Sequence, residues 1–372
     1  MPRSKHLPAV EGSPLDRLIS GAVRIQSIPG IVFAALLLAL SVIVTRFDWT
    51  CSIIFWGIYL IDWALLAAPR RLRISYGPPK PPVLLLALLR APFALLPAPW
   101  WWIVELLGTV LVVYGFWIEP SRLFLTKEKL QIPKLKLRTP LRVLHVGDLH
   151  MERPSVREKK LVEMVRELSP DLILFSGDLL SYSNVDDEVA RAAARDVLST
   201  FHAPLGVYAV AGSPPVDRED VLSDVFRDLD ITLLDRTSVR LQFQGNDIDL
   251  FGLPCTHDPD LDAPALAPLQ PDGKTFAILL HHSPDLAPAA AGKDFDLQLS
   301  GHTHGGQVRL PFWGALYTSS VLGKRFEAGR YRIGGMTLYV TRGIGMEGKA
   351  APRVRFLCPP EIVLWEITGT EG

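Results

Sequence analysis

Carboxylate and imidazole side chains are concentrated in four short corners of the sequence, each at the end of an apolar run. The corners read GDLH (147–150), GDLL (177–180), HHSPD (281–285) and GHTHGG (301–306), and they hold five of the nine histidines. Aspartate and histidine together suit Zn²⁺, Mn²⁺ or Fe ions better than a soft thiolate site would. One aspartate can bridge two ions, and two ions about 3.5–4 Å apart can clamp a phosphoryl oxygen and acidify a shared water that attacks phosphorus in line. The corners therefore predict a two-metal hydrolytic site that needs no protein nucleophile.

Taken singly, each corner also fits an ordinary turn with a hydrogen-bonded core residue. The joint pattern favours a site, because each corner follows a predicted strand and is bounded by turn residues. α/β folds place their sites at such strand ends, where the backbone is free to present side chains.

Strands and helices alternate from residue 141 onward, and strand-rich sequence follows. Helices are predicted at 156–168, 186–200 and 217–229. Strands are predicted at 141–147, 171–177, 205–212, 231–235, in a hairpin around 245–247, and at 275–285, 295–301, 336–343 and 361–367. This order predicts a mixed pair of β-sheets with helices outside, an α/β architecture.

The motifs GDLH, SGDL, HHSPD and SGHTHGGQVRLP, in this order, closely resemble those of the calcineurin-like metallophosphoesterases, above all their bacterial membrane-anchored branch. The resemblance runs from about Glu119 to the C-terminus and includes YVTRGIGMEGKAAPRVRFLCPPEIVLWEI. GHTHGGQ is its most specific part. The resemblance implies a two-sheet αββα sandwich and a phosphoester or diphosphate hydrolase. Some members of this branch cleave the pyrophosphate of UDP-diacylglucosamine, and others are general phosphodiesterases.

Carried over position by position, the resemblance implies two divalent metal ions, with Mn, Fe or Zn as the candidates. The first ion would be held by Asp148, His150, Asp178 and His304. The second would share Asp178 and add His282 and His302, and these three residues are the expected catalytic ones. His281 is expected to face away as a packed neighbour, and His145 to be structural.

The sequence departs from the family pattern after the third strand, where Gly-Asn-His-Asp/Glu is usual. Ser213 stands in place of the asparagine ligand, Pro214 in place of the histidine that assists the leaving group, and Pro215 in place of the acid. Three interpretations stay open at this point. The first is a working hydrolase of reduced or altered scope, in which Asp217, His257 or His281 supplies the missing function. The second is a one-metal or weakly two-metal enzyme. The third is a degenerate member that acts as a membrane-bound phosphate-ligand binder or scaffold.

The first 118 residues carry most of the apolar excess of the chain, whose mean hydropathy is +0.22. A bilayer span needs about 20 apolar residues. Four stretches fit that length and predict four spans: Ile25–Thr45, Trp49–Pro69, Pro81–Pro99 and Trp100–Ile118. An interfacial or ordinary amphipathic helix capped by Ser13 is expected before them. A soluble helical bundle is the alternative interpretation.

Ionisable residues inside the predicted spans are Asp62, Arg90 and Glu105, and we expect them to pair between helices. A transporter or channel that uses them as a polar pathway is the less favoured alternative. The sequence thus divides into a membrane region (1–118), a basic linker (119–140) and a metallophosphoesterase domain (141–372).

Basic residues flank the first, second and fourth predicted spans on what would be one side of the membrane. By the positive-inside rule, this predicts a multi-pass protein of the cell (inner) membrane with a cytoplasmic catalytic domain, provided that 81–99 crosses. The chain has 39 basic and 39 acidic residues, so charge gives no support for a nucleic-acid partner. The expected partners are the lipid bilayer and a phosphoester or lipid-phosphate substrate.

Overall fold

The computed structural model describes residues 14–75, 77–346 and 351–370. They form two compact units. A helical unit contains the described residues up to Glu119 and the segment that ends at Val354, and an α/β unit contains Pro120–Met346 and the residues from Arg355 onward. The predicted cap Ser13 lies outside the described residues.

Five helices build the helical unit: α1 (Pro14–Ser27), α2 (Gly30–Val44), α3 (Trp49–Arg71), α4 (Lys80–Arg90) and α5 (Trp100–Val113). The 23 residues of α3 and the 22 residues of Trp100–Ser121 are each long and apolar enough to cross a membrane. Ser20–Ser27 and Gly30–Val44 reach that length only together, and they are bent by 104°. The described residues therefore contain two such helices, or three if the bent pair is one span.

The stretch predicted as a third span does not form one long helix. It contains the 11 residues of α4 and a 3₁₀ turn at Ala91–Leu95. At 1.5 Å per residue, α4 is only about 17 Å long. The prolines of this stretch explain the break, because proline interrupts the helical hydrogen bonding.

Helices α2, α3, α4 and α5 alternate in direction. The Lys80 ammonium at the start of α4 donates to the carbonyl of Gln26 just before α2 (3.0 Å). Trp117, late in the last helix, donates to the Leu65 carbonyl late in α3 (3.0 Å). The start of α2, the end of α3, the start of α4 and the end of Trp100–Ser121 consequently lie at the same end of the helical unit.

Arg90 forms ion pairs with Asp62 on α3 and Glu105 on α5, each at 3.2 Å. All three side chains are buried. This confirms the predicted pairing between helices. A carboxylate neutralised in this way is a structural link, since a polar pathway would need groups exposed to a cavity.

The α/β unit contains two six-stranded sheets. In the first sheet the strand order is β1-β14-β2-β3-β4-β5, with β1 (Phe124–Lys136), β2 (Leu141–Val146), β3 (Leu172–Phe175), β4 (Val207–Ala209), β5 (Thr232–Leu233) and β14 (Glu361–Thr370). In the second it is β12-β13-β9-β8-β7-β6, with β6 (Thr237–Phe243), β7 (Asn246–Gly252), β8 (Phe276–Leu280), β9 (Leu297–Ser300), β12 (Gly329–Ile333) and β13 (Met336–Val340). A short hairpin of β10 (Arg309–Leu310) and β11 (Gly314–Ala315) stands apart from both.

Three apolar cores define four layers. One lies between the sheets and includes Val143, Leu174 and Ile278. The other two pack each sheet against its own helices. On the first sheet these are α6 (Val156–Leu168), α7 (Glu188–Leu198) and α8 (Glu219–Val225), and on the second they are α9 (Pro259–Ala265) and α10 (Ala287–Ala290). The predicted αββα sandwich is confirmed.

The segment predicted as a basic linker is instead strand β1. It pairs in parallel with β14 from Phe124 onward, and Leu130, Ile132 and Leu135 enter the core between the sheets. Its lysines and Pro133 suit an edge strand, where charge and proline block pairing with other chains. Helix α9 lies in a segment rich in proline and aspartate, and the Asp258 side chain caps its N-terminus.

Candidate metal centre

The predicted corners converge because they follow adjacent parallel strands. Asp148 and His150 follow β2, and Asp178 follows β3, its neighbour in the first sheet. His282 follows β8, and His302 and His304 follow β9, its neighbour in the second sheet. The carboxyl ends of parallel strands lie at one edge of a sheet, where α/β proteins place their sites.

The first group of donors consists of Asp148, His150 and His304, whose ligand atoms lie within 4.8 Å of one another. The imidazole rings of His150 and His304 are 4.7 Å apart. His304 Nε2 is 3.5 Å from Asp148 Oδ1. These side chains are buried, so an ion held here would be largely shielded from solvent.

A second group, Asp148, Asp178 and His282, overlaps the first. Asp178 Oδ2 lies 3.3 Å from His150 Nε2 and 3.4 Å from His282 Nε2. One carboxylate oxygen thus stands between histidines that belong to different donor groups. This is the position that a bridging ligand of two ions requires.

A third group joins His282 to His302 and His257, again within 4.8 Å. His302 belongs to this group and His304 to the first, so the two histidines of GHTHGG lie in different donor groups. His257 did not belong to either predicted ligand set.

The donor atoms fit divalent cations. Among the described residues, His282 Nε2, both ring nitrogens of His304 and Asp148 Oδ2 are buried and have no hydrogen-bond partner. Leaving a buried polar atom unsatisfied costs about 1–3 kcal/mol. Ligation to a cation would satisfy these atoms, and a set of imidazoles and carboxylates is the one expected for Zn²⁺, Mn²⁺ or Fe.

Two glycines let the corners approach this closely. A Cβ atom at Gly301 would lie 2.2 Å from Asp148 Oδ2, and one at Gly212 would lie 2.3 Å from Asp178 Oδ1. Both distances are far below van der Waals contact. Gly301 in SGHTHGG and Gly212 in the third-strand loop are therefore required, because any side chain there would collide with a carboxylate.

Comparison with known proteins agrees with this geometry. The family model for calcineurin-like phosphoesterases matches residues 141–306. An uncharacterised metallophosphoesterase, YkuE of Bacillus subtilis, is 32% identical over 239 residues, which cover 62% of this chain and 79% of that protein. The chain belongs to the calcineurin-like metallophosphoesterase family. It is therefore a phosphoester hydrolase by family, as predicted.

Two further relatives have named activities. Phosphodiesterase YaeI of Escherichia coli is 28% identical over 261 residues, covering 68% of this chain and 92% of YaeI. The UDP-2,3-diacylglucosamine pyrophosphatase LpxG of Chlamydia trachomatis is 25% identical over 312 residues, covering 68% of this chain and 91% of LpxG.

Burial and neighbouring charges give the histidines of the metallophosphoesterase site different pKa values. Burial alone would lower the pKa of His282, but the adjacent carboxylate of Asp178 raises it to about 10. Burial and the neighbouring His282 lower the pKa of His302 to about 4. Burial raises the pKa of Asp148 to about 6, although His282 opposes that shift. The site therefore carries mutually dependent charges before any cation enters.

The third-strand loop is held in place by a carboxylate. Asp217 accepts hydrogen bonds from the backbone N–H groups of Asp178 (2.7 Å), Leu179 (2.9 Å) and Gly212 (2.8 Å). Ser213 donates to Asp178 through its N–H (2.6 Å) and its hydroxyl (3.0 Å). Asp217 is thus a clamp between two loops, which argues against it as the source of the missing leaving-group assistance. Pro214 is exposed.

Three further histidines lie outside the predicted ligand sets. His281 Nδ1 is 2.8 Å from the Leu253 carbonyl and faces away from the metal ligands, as expected. His145 is buried and lies 3.0 Å from the Ser176 hydroxyl, which confirms its structural role. His257 is the third of these histidines. It is buried, with 7% exposure.

Proposed function

We propose that the protein hydrolyses a phosphodiester or pyrophosphate bond in an amphiphilic, lipid-linked substrate, using two divalent metal ions. Asp148, His150, Asp178 and His304 would hold the first ion, and Asp178, His282 and His302 the second. The observation that carries this proposal is the position of Asp178 Oδ2 between His150 Nε2 and His282 Nε2. Divalent ions at such a site, when bound, stabilise charge on a phosphoryl group and activate water.

The protein's own residues would fix the geometry of this site. Ser213 donates to Asp178 and so limits the orientations of the shared carboxylate. The Ser176 carbonyl holds His282 Nδ1 (2.8 Å), which leaves Nε2 on the side of Asp178. Pro214 cannot transfer a proton to a leaving group. General acid assistance contributes typically about 10²–10⁴-fold, and a pyrophosphate, whose leaving group is already a good one, needs it less.

An apolar hairpin next to the site favours a substrate with a lipid tail. In the β10–β11 turn, Phe312 is fully exposed and Trp313 is 67% exposed. Leu316 and Tyr317, just after β11, are more than half exposed. Soluble surfaces rarely present such clusters unless they contact an apolar partner. Aromatic rings with a lysine nearby are typical of the membrane interface, and the Lys324 ammonium lies 4.9 Å from the Trp313 ring.

The chain that leaves the hairpin contacts a proposed metal ligand at Ser319. His302 Nε2 is 3.3 Å from the Ser319 carbonyl, and the Ser319 hydroxyl donates to the His302 carbonyl (3.0 Å). The segment that carries the apolar hairpin thus also contacts one of the proposed metal ligands. The occupant that fits this surface is a bilayer lipid or the lipid part of the substrate.

The direction of the helices supports a cytoplasmic α/β unit. The end of Trp100–Ser121 lies with the end of α3, near Arg70 and Arg71. Lys80 lies at that end as well. Basic residues of short loops stay on the cytoplasmic side. A reporter fused to the C-terminus would test this, since activity of a periplasm-dependent reporter such as alkaline phosphatase would contradict the proposed side.

Activity of the full chain in detergent tests the proposed chemistry. We expect close to two Mn²⁺ ions per chain and Mn²⁺-dependent hydrolysis of a chromogenic phosphodiester that Asp178→Ala abolishes. Fewer than one ion per chain, with no turnover, would mean that the protein is a degenerate binder.

The lipid part of the proposal is tested separately. In the double variant Phe312→Ser and Trp313→Ser, we expect KM for a phosphatidyl substrate in mixed micelles to rise at least tenfold, while hydrolysis of the chromogenic substrate stays unchanged. Val189→Ser, at an exposed site on α7, is the matched control. Equal loss on both substrates would contradict a lipid role for the hairpin.

A further inference from the structure

We infer that His257 is the fourth protein ligand of the second metal ion, at the site where the family pattern has an asparagine ligand. This inference rests on the two-metal function proposed above. It assigns to the second ion one carboxylate, Asp178, and three imidazoles, those of His257, His282 and His302.

Distance is the first argument. The ring of His257 is 4.3 Å from the ring of His302 and 6.0 Å from the ring of His282. One ligand nitrogen from each of the three rings lies within 4.8 Å of the others. Imidazole nitrogens bind a metal at about 2.0–2.1 Å, so two of them that shared one ion would be about 3–4 Å apart. A small inward rotation of the rings would therefore complete a shared coordination sphere.

Orientation is the second argument. Metal-binding histidines are usually held through the ring nitrogen that does not bind the metal. His282 is held in this way through Nδ1 by the Ser176 carbonyl, and His302 through Nε2 by the Ser319 carbonyl. His257 shows the same arrangement, since its Nδ1 lies 3.7 Å from Cys255 Sγ.

The contact with Cys255 therefore leaves His257 Nε2 as the nitrogen available to an ion. The backbone N–H of His257 also donates to Cys255 Sγ (3.4 Å). The thiol thus fixes both the ring and the main chain of His257, and Cys255 is a positioning residue.

Backbone strain is the third argument. His257 has a φ of 62°, in the left-handed region that is unfavourable for residues other than glycine. Such a conformation costs on the order of 1–3 kcal/mol and persists mainly at functional sites. Most of the proposed ligands share it: Asp148 (49°), His150 (40°), Asp178 (61°), His302 (72°) and His304 (50°). His257 thus has the backbone signature of the ligand corners, although it lies in none of the four motifs.

The third-strand loop explains why a substitute would be needed. The Ser213 hydroxyl donates to Asp178 Oδ2 (3.0 Å). Serine has no amide oxygen, so Ser213 does not supply the ligand atom that an asparagine would bring to the ion. Pro214 and Pro215 are exposed and carry no donor atoms in their side chains. An imidazole that comes from the opposite sheet supplies a neutral ligand in their place.

The test measures metal binding by the full chain in detergent, without reference to turnover. After metal removal, Co²⁺ is titrated into the protein, and its d–d absorbance and the number of bound ions are recorded. For wild type we expect two ions. For His257→Ala we expect the affinity for the second ion to fall at least tenfold, with a lower Co²⁺ absorbance per chain, while the first ion binds as in wild type. His202→Ala, at an exposed histidine, is the matched control.

A second variant guards against misfolding of His257→Ala. The double variant His257→Ala and Ser213→Asn restores an amide ligand from the third-strand loop, and we expect it to recover part of the affinity for the second ion. Two ions bound with unchanged affinity by His257→Ala would overturn the inference, even if turnover fell, because a ligand of the second ion cannot be removed without loss of affinity. Fewer than one ion bound by wild type would instead refute the two-metal function.

Discussion

Replacement of Asp217 is expected to loosen the metal site without touching a proposed ligand. Its carboxylate accepts three backbone N–H groups, those of Asp178, Leu179 and Gly212, at 2.7–2.9 Å. All three residues are buried. In Asp217→Ala each N–H loses its acceptor, and a buried unsatisfied donor costs about 1–3 kcal/mol. If a water molecule enters the vacated space and satisfies one donor, two donors stay unsatisfied and the total cost is about 2–6 kcal/mol.

Hydrogen exchange of the full chain in detergent measures this loss locally. Since about 1.4 kcal/mol corresponds to a tenfold change in an equilibrium constant, the amides of Asp178, Leu179 and Gly212 should exchange about 10–10⁴-fold faster in Asp217→Ala. Asp217→Asn keeps one acceptor oxygen and should lie in between. The control is Asp220→Ala, because Asp220 is a half-exposed partner in surface ion pairs that are worth about 0.2–1 kcal/mol.

Asp217→Ala should also weaken metal binding, because the backbone N–H of Asp178, the shared ligand, loses its hydrogen bond to the Asp217 carboxylate. Loss of a group that orients a ligand typically reduces metal affinity by about 10–100-fold. If exchange at these amides and metal affinity in Asp217→Ala matched the Asp220→Ala control, the clamp would have no energetic role and this reasoning would be refuted.

Three further predictions concern single contacts. Gly301→Ala places a Cβ atom 2.2 Å from Asp148 Oδ2, so we expect metal analysis to show loss of the first ion, whereas Gly335→Ala, which has open space around its Cβ, should keep both. Arg90→Met leaves two buried carboxylates without their partner. We expect the free energy of unfolding of the helical unit, measured in detergent, to fall by about 3–5 kcal/mol. If hydrolysis of a water-soluble substrate per folded molecule also fell, the helices would be more than an anchor. Free Mn²⁺ at a hundredfold excess over its Kd should stabilise the α/β unit by about 2.7 kcal/mol per site in chemical denaturation, and equal midpoints with and without the metal would contradict ligation in the folded state.

The sequence predicted those elements whose ends are set by interactions between residues close together in the chain. The boundaries of α6, Val156–Leu168, were predicted as observed, because Ser155 and Glu158 form a reciprocal cap at its start. The corners after β2, β3, β8 and β9 were likewise predictable, since each ends a strongly apolar strand.

Non-local pairing accounts for what the sequence did not predict. The lysine-rich segment at 124–136 has the composition of a linker, and it becomes a strand only by pairing with β14, which is more than 200 residues away in the chain. His257 had no recognisable motif either, because its neighbours His282 and His302 come from other strand ends. The only sequence signal that bears on it is the departure from the family pattern at Ser213, where the asparagine ligand is missing.

The hydrogen bonds around the corners indicate that the protein, and not the metal, holds the ligands together. Asp148 N–H donates to the Gly177 carbonyl (2.9 Å), and His150 N–H donates to the Asp178 carbonyl (3.1 Å). These bonds join the first two corners through the main chain, and the Asp217 clamp adds the third-strand loop. The strained backbone of the ligands is therefore supported by the fold before an ion arrives. It follows that removal of the metal should lower stability but leave the sandwich folded, and that the ions should rebind without refolding of the chain.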